Sequence, residues 1–90
     1  MGKEIVLFKS EERKDLASVV VFLHQLADKL AENQVILRQG SEEIVIDVPD
    51  NVVLELKVEE EDKKGKIKRT IEVEIEWIEG DDSGGVVTLG

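Results

Sequence analysis

Polar and apolar residues alternate strictly along two segments near the end of the chain, and this is its clearest pattern. Even positions are apolar in residues 52–58, and odd positions are apolar in residues 67–77 except at Arg69. The apolar positions are Val52, Leu54, Leu56, Val58, Ile67, Ile71, Val73, Ile75 and Trp77. Because successive side chains of a strand point to opposite faces, the pattern predicts an antiparallel hairpin with one buried and one wet face.

The register of this hairpin follows from parity. Opposed residue numbers must sum to an odd value, because a slip of one residue turns a strand inside out. A two-residue turn at Lys64 and Gly65 satisfies this condition. The pairs that it creates are Leu54–Ile75, Leu56–Val73, Val52–Trp77 and Lys57–Glu72. A four-residue loop shifted by one pair also fits, but the opposite charges of Lys57 and Glu72 favour the shorter turn.

A second pattern covers residues 16–30, in which apolar residues recur every three or four positions. At about 100° per residue, its apolar side chains fall in one stripe on a helix. They are Leu16, Val19, Val20, Leu23, Leu26, Ala27 and Leu30. We therefore predict an amphipathic helix over about residues 11–32 whose stripe faces the sheet. Ser10 is the expected N-cap, and Asn33 is the expected C-terminal stop.

Shorter apolar runs predict three further strands. They cover residues 5–8, 35–38 and 43–48, the last two joined by a tight turn at 39–41, and Pro49 closes the third. The predicted fold class is α+β: one amphipathic helix on one face of a mostly antiparallel five-stranded sheet, in the order β-α-β-β-β-β. We expect a single domain over residues 1–79, followed by a flexible acidic and glycine-rich tail at 80–90.

Two stretches carry a resemblance to a known family. They are Ile71-Glu-Val-Glu-Ile-Glu-Trp77 and Val45-Ile-Asp-Val-Pro-Asp50, which precedes the long hairpin. With the strand and helix before them, they resemble the amphi-Trp domain family over about residues 3–78. That family is largely uncharacterised, so the resemblance implies a fold but no activity and no catalytic residues.

Charge narrows the classes of partner. The 90-residue chain has 21 acidic and 12 basic residues, a formal net charge of −9, and no cysteine. Such a charge repels nucleic acids and anionic membranes, so we expect neither as a partner.

The absence of cysteine excludes disulfides and thiolate chemistry. Residues 1–8 do not resemble a secretory signal, and no segment reaches the length of a membrane span, so a cytoplasmic protein is expected.

No set of residues predicts catalysis. His24 is the only histidine, and we expect it at the edge of the helix stripe, half covered by the sheet, without a positioned nucleophile or carboxylate. The acidic run 59–62 lacks the spaced ligands of a calcium loop. The row Glu72, Glu74 and Glu76 lies on a wet face, where no carboxylate is desolvated as a catalytic pair would require. We therefore expect no catalytic residue, metal site or cofactor, and no enzyme.

Apolar residues at positions predicted to be wet are the better functional signal. The candidate interface residues are Val21, Phe22, Ile36, Val45, Val53 and Trp77. Trp77 closes the core in the simplest interpretation, but it becomes a contact residue if its indole protrudes. These residues favour a small protein-interaction or assembly module that acts through an exposed apolar patch or a sheet edge and binds another protein or itself as a homodimer. The alternatives are an acidic decoy or inhibitor that presents carboxylates to a basic partner and, last, a small enzyme or enzyme subunit.

Overall fold

The fold is known from a computed structural model that describes residues 2–80. Its elements, in chain order, are α1 (Leu16–Ala31), β1 (Gln34–Gln39), β2 (Glu42–Asp47), β3 (Val53–Lys63) and β4 (Lys66–Glu76). They fall into two compact units, Met1–Val48 and Pro49–Gly90. Apart from Gly80, the tail predicted at 80–90 lies outside the described residues. The assignment of residues 1–79 to a single domain stays a prediction.

Helix α1 begins five residues later than predicted. Its N-cap is Asp15, whose carboxylate oxygen accepts a hydrogen bond from the Ser18 backbone N–H at 2.9 Å. The prediction of Ser10 as the N-cap is therefore wrong. The physical reason is that Asp caps a helix as well as Ser does and here directly precedes the first apolar residue of the stripe, Leu16.

The predicted stop at Asn33 is confirmed, and this residue also joins the helix to the first hairpin. Asn33 has a φ of 60°, the left-handed conformation that ends many helices, and its N–H donates to the Leu30 carbonyl at 2.9 Å. Its side-chain Nδ2 donates to the Val48 carbonyl at 2.9 Å, and its own carbonyl accepts from the Val48 N–H at 2.9 Å. This exchange extends the β1–β2 pairing by one step.

Strands β1 and β2 form an antiparallel hairpin around a two-residue turn at Gly40 and Ser41. Val35 opposes Ile46 and Leu37 opposes Ile44, which places these four side chains on one face. This face is the more buried one, and α1 packs against β1. Val35 is buried here, and Val48 is buried just after β2. The first unit thus has a small apolar core.

Strands β3 and β4 form an 11-residue antiparallel hairpin with the predicted register. Leu54 opposes Ile75 and Leu56 opposes Val73, around a turn at Lys64 and Gly65. Both turn residues have positive φ, 52° and 83°, as a type I′ turn requires. The pairing ends at Val53 and Glu76, so the predicted pair of Val52 with Trp77 falls one step beyond it.

The predicted five-stranded sheet is wrong. The four strands form two separate two-stranded sheets, β1–β2 and β3–β4. Residues 2–15 form no strand, and Ile5, Val6 and Leu7 are largely exposed. The physical reason is that alternation and turn residues determine how a strand pairs within its own hairpin, whereas no local pattern determines which hairpin lies beside which.

Candidate interaction surface

One face of the β3–β4 hairpin is apolar and exposed, and we call it the apolar face. The register brings its side chains together from both strands: Leu54, Leu56, Val58, Ile67, Ile71, Val73 and Ile75. All except Ile75, which is partly buried, are 54–74% exposed. We predicted these residues as core, so their exposure corrects that prediction. Among the described residues of this unit, 49–80, none is buried.

The opposite side of the same hairpin, which we call the charged face, has ion pairs on its surface. Lys57 Nζ lies 3.3 Å from a carboxylate oxygen of Glu72, its cross-strand partner, and 3.4 Å from one of Glu59. Hydrogen bonds to Glu72 first and then to Glu59 raise the pKa of Lys57. The pair that we predicted from the register is therefore present. These contacts are exposed, so each contributes little to stability.

Three carboxylates on the charged face have no such partner. Glu55 lies directly opposite Glu74, and Glu76 lies opposite Val53. In the part of the chain that the structure describes, none of the three glutamates belongs to an ion pair. Like charges placed opposite each other on paired strands are destabilising. This end of the charged face is therefore a concentrated negative patch.

Polar groups border the apolar face at the turn end. Arg69 Nε donates to a carboxylate oxygen of Glu60 at 2.8 Å across the strands. Arg69, the one residue that interrupts the apolar pattern of β4, therefore forms an ion pair. Next to it, Asp62 accepts a hydrogen bond from the Gly65 N–H at 3.1 Å, which stabilises the turn. The apolar face thus ends in a polar border whose groups are already partnered.

Trp77 follows β4 at the other end of the hairpin. Its odd number gives it the phase of the apolar face, and it is partly buried. Its indole Nε1 donates to a carboxylate oxygen of Glu79 at 3.4 Å. The ring is therefore neither fully enclosed nor fully exposed, and part of it is accessible.

The other predicted interface residues lie on two smaller surfaces and one isolated position. Val21 and Phe22 are exposed on α1. Ile36 and Val45 are exposed cross-strand partners in the first hairpin. On the same face, the Arg38–Glu43 ion pair (2.6 Å) lies on one side and the Gln34–Asp47 hydrogen bond (2.9 Å) on the other. Val53 is exposed on the charged face of the other hairpin, so the structure pairs Ile36 with Val45 but puts Val53 in a different sheet.

Half of the helix stripe is also exposed. Val19, Leu26 and Leu30, along one edge of the stripe, are partly buried, as expected for the edge that meets β1. Leu16, Val20 and Leu23 are exposed. At about 100° per residue these two sets lie side by side on the helix, so the contact with β1 buries only one edge of the stripe.

Sequence reasoning missed the apolar face because it assigned one helix to cover a whole sheet. A helix is about 10 Å wide, whereas five strands at about 4.8 Å spacing span roughly 19 Å. The difference between these two widths could have shown, from the sequence alone, that one helix does not cover the whole sheet. In the first unit, α1 packs against β1.

Outside the β3–β4 hairpin, the titratable groups of the described residues include one histidine. His24 is exposed on α1. Across residues 2–80 no three His, Cys, Asp or Glu side chains are grouped so as to hold a metal ion. Within the same range, no helix has the length and apolar character needed to cross a membrane.

These features define a class: a small α+β protein made of a helix-covered hairpin and a second, longer hairpin that is amphipathic. The model of the Amphi-Trp domain matches residues 1–89, and the chain belongs to the Amphi-Trp domain family. No curated protein and no solved structure matched the chain.

Proposed function

We propose that this Amphi-Trp domain is a small protein-interaction or assembly module that binds its partner through the apolar face of the β3–β4 hairpin. The observation that carries the proposal is the separation of the two sides of this hairpin. Seven apolar side chains cover one side, whereas the other side is almost wholly charged. The proposal includes no catalytic step.

The exposed apolar face favours binding for a physical reason. An isolated two-stranded hairpin is only marginally stable in water and needs a third strand, a helix or another layer on its apolar side. Folded proteins rarely leave large contiguous apolar patches exposed, and patches that persist mark interaction sites. A partner that covers Leu56, Val73 and their neighbours would stabilise the hairpin and bind in the same step.

The proposal is tested by capture experiments with two matched variants. Leu56→Thr with Val73→Thr alters one cross-strand pair of the apolar face, and Lys57→Thr with Glu72→Thr alters the adjacent pair on the charged face. Threonine keeps a high strand propensity in both variants. The wild-type chain is immobilised with an affinity tag, and partners bound from native extract, including untagged copies of the chain, are identified by mass.

The expected result is that the apolar-face variant loses the bound partners while the charged-face variant keeps them. Equal binding by all three forms contradicts the proposal. Loss of binding in the charged-face variant alone also contradicts it. Amide hydrogen exchange in β3 and β4 verifies that each variant still forms the hairpin.

A second candidate function follows from the negative patch on the charged face. Glu55, Glu74 and Glu76, which form no ion pair among residues 2–80, offer carboxylates to a basic partner, as an acidic decoy or inhibitor would. The interleaved lysines weaken this candidate because Lys57 already neutralises part of the row. Binding to immobilised basic protein that survives physiological salt and falls in Glu55→Gln with Glu74→Gln supports it. Loss of binding at physiological salt contradicts it.

A further inference from the structure

We infer that the occupant of the apolar face is a second copy of this chain, packed face to face about a twofold axis. The inference rests on the proposed function and names its partner. In a twofold interface each copy offers the same surface, so the surface must be self-complementary in shape, area and charge. The hairpin meets these conditions as follows.

The available area suits a small homodimer. A fully buried Leu, Ile or Val removes about 60–120 Å² of apolar surface from water. Six side chains of the apolar face are 54–74% exposed, so each copy has roughly 250–500 Å² of apolar surface to bury. Homodimer interfaces are about 65% apolar, which gives a total interface of roughly 800–1,500 Å². Specific, stable interfaces bury about 1,200–2,000 Å², and a biological interface needs at least about 1,000 Å², so the upper part of this range meets the requirement.

The distribution of charge also favours this arrangement. Each copy has a formal charge of −9, so two copies repel each other, and the repulsion is least when few charges lie between them. The charged face has six glutamates and four lysines, a net charge of −2, and it turns outward when the apolar faces meet. The apolar face has only Glu60, Asp62 and Arg69, all at its turn end.

Two of the three charged groups at the polar border are already paired within each copy, and the third, the Asp62 carboxylate, lies at the turn end of the face, outside its apolar centre. Arg69 and Glu60 already form an ion pair, and Asp62 accepts from the Gly65 N–H within its own turn. The centre of the face, from Leu54 to Val58 on β3, opposes only apolar residues on β4. Two such sheets pack about 10 Å apart as the layers of a small sandwich.

The test exchanges charge at the centre of the apolar face. One variant has Leu56→Lys with Val73→Lys, and a second has Leu56→Glu with Val73→Glu. Two like-charged faces repel, whereas a lysine face and a glutamate face attract across a twofold interface. The control variant is Lys57→Glu with Glu72→Lys, which reverses the neighbouring ion pair on the charged face and leaves the net charge unchanged. Sedimentation equilibrium measures the mass of each sample.

The inference expects a dimer for the wild type and for the control. It expects a monomer for each charged variant alone and a dimer when the two are mixed. The restored dimer also proves that both variants fold. A monomeric wild type at high concentration overturns the inference, as do charged variants that remain dimeric alone. If the wild type is monomeric but its Leu56→Thr, Val73→Thr variant loses a captured protein, self-association fails and the proposed function stands.

Discussion

Shortening one leucine on the apolar face should weaken the proposed dimer by an amount that the structure allows us to estimate. Leu56 is 67% exposed in the single chain, and full burial of a leucine contributes about 1.5–3 kcal/mol. Leu56→Ala therefore removes about 1–2 kcal/mol per copy. Because a twofold interface contains each residue twice, the loss is about 2–4 kcal/mol per dimer. The dissociation constant should rise by roughly 30- to 1,000-fold.

Sedimentation equilibrium over a range of concentrations measures this constant. Val53→Ala is the matched control, because Val53 is also exposed on β3 but lies on the charged face, and we expect no change. A mixed dimer of wild type and Leu56→Ala should lose half the free energy, which corresponds to a rise of roughly 5- to 30-fold. The reasoning is refuted if Leu56→Ala and Val53→Ala behave alike, or if the mixed dimer is as weak as the variant dimer.

Three further predictions concern the ends of elements. Asn33→Ala should lower the free energy of unfolding by about 2 kcal/mol in urea denaturation at fixed concentration, because it loses the hydrogen bond to Val48 and places alanine at a φ of 60°. Asn33→Gly should cost less, since glycine adopts this φ freely. Hydrogen bonding with the Ser18 side chain and then with its backbone N–H lowers the pKa of Asp15 from its ordinary value of 3.8. The cap therefore stabilises the helix above about pH 4, and circular dichroism should show helix lost as the pH falls through the lowered pKa, less so in Asp15→Asn. Gly65→Ala meets no neighbouring atom but holds alanine at a φ of 83°, which should cost about 1 kcal/mol and speed amide exchange in β3 and β4.

The sequence predicts the long hairpin in detail because all the information for it is local. Alternation gives each side chain its face, parity limits the register, and Gly65 supplies the positive φ that a type I′ turn needs. The helix stop is local in the same sense, since Asn is among the few residues that adopt the left-handed conformation readily. The helix start was missed because Ser10 and Asp15 are equally good caps by type.

The lateral arrangement of strands and the exposure of the apolar face could not be predicted in this way. Alternation shows that Leu56 and Val73 share a face, but it does not say what covers that face. A helix of the same chain and a hairpin of another chain satisfy the same pattern. The segment at residues 5–8 shows the same limit, because an apolar run becomes a strand only where a neighbouring strand accepts its hydrogen bonds.

Ionic strength distinguishes the two candidate surfaces. Added salt should weaken binding at the negative patch, whereas it should not weaken binding at the apolar face. Raising the ionic strength from about 0.1 M to about 1 M shortens the screening length from about 10 Å to about 3 Å. Two copies with a formal charge of −9 then repel each other less, and burial of Leu56, Val73 and their neighbours is not screened, so the dimer should tighten or stay unchanged. Binding of a basic partner to Glu55, Glu74 and Glu76 should weaken over the same range. A dimer that dissociates as salt increases would be held by ion pairs between copies, with the Arg69–Glu60 pair as the nearest source. That result would show that the apolar face is not what holds the two copies together.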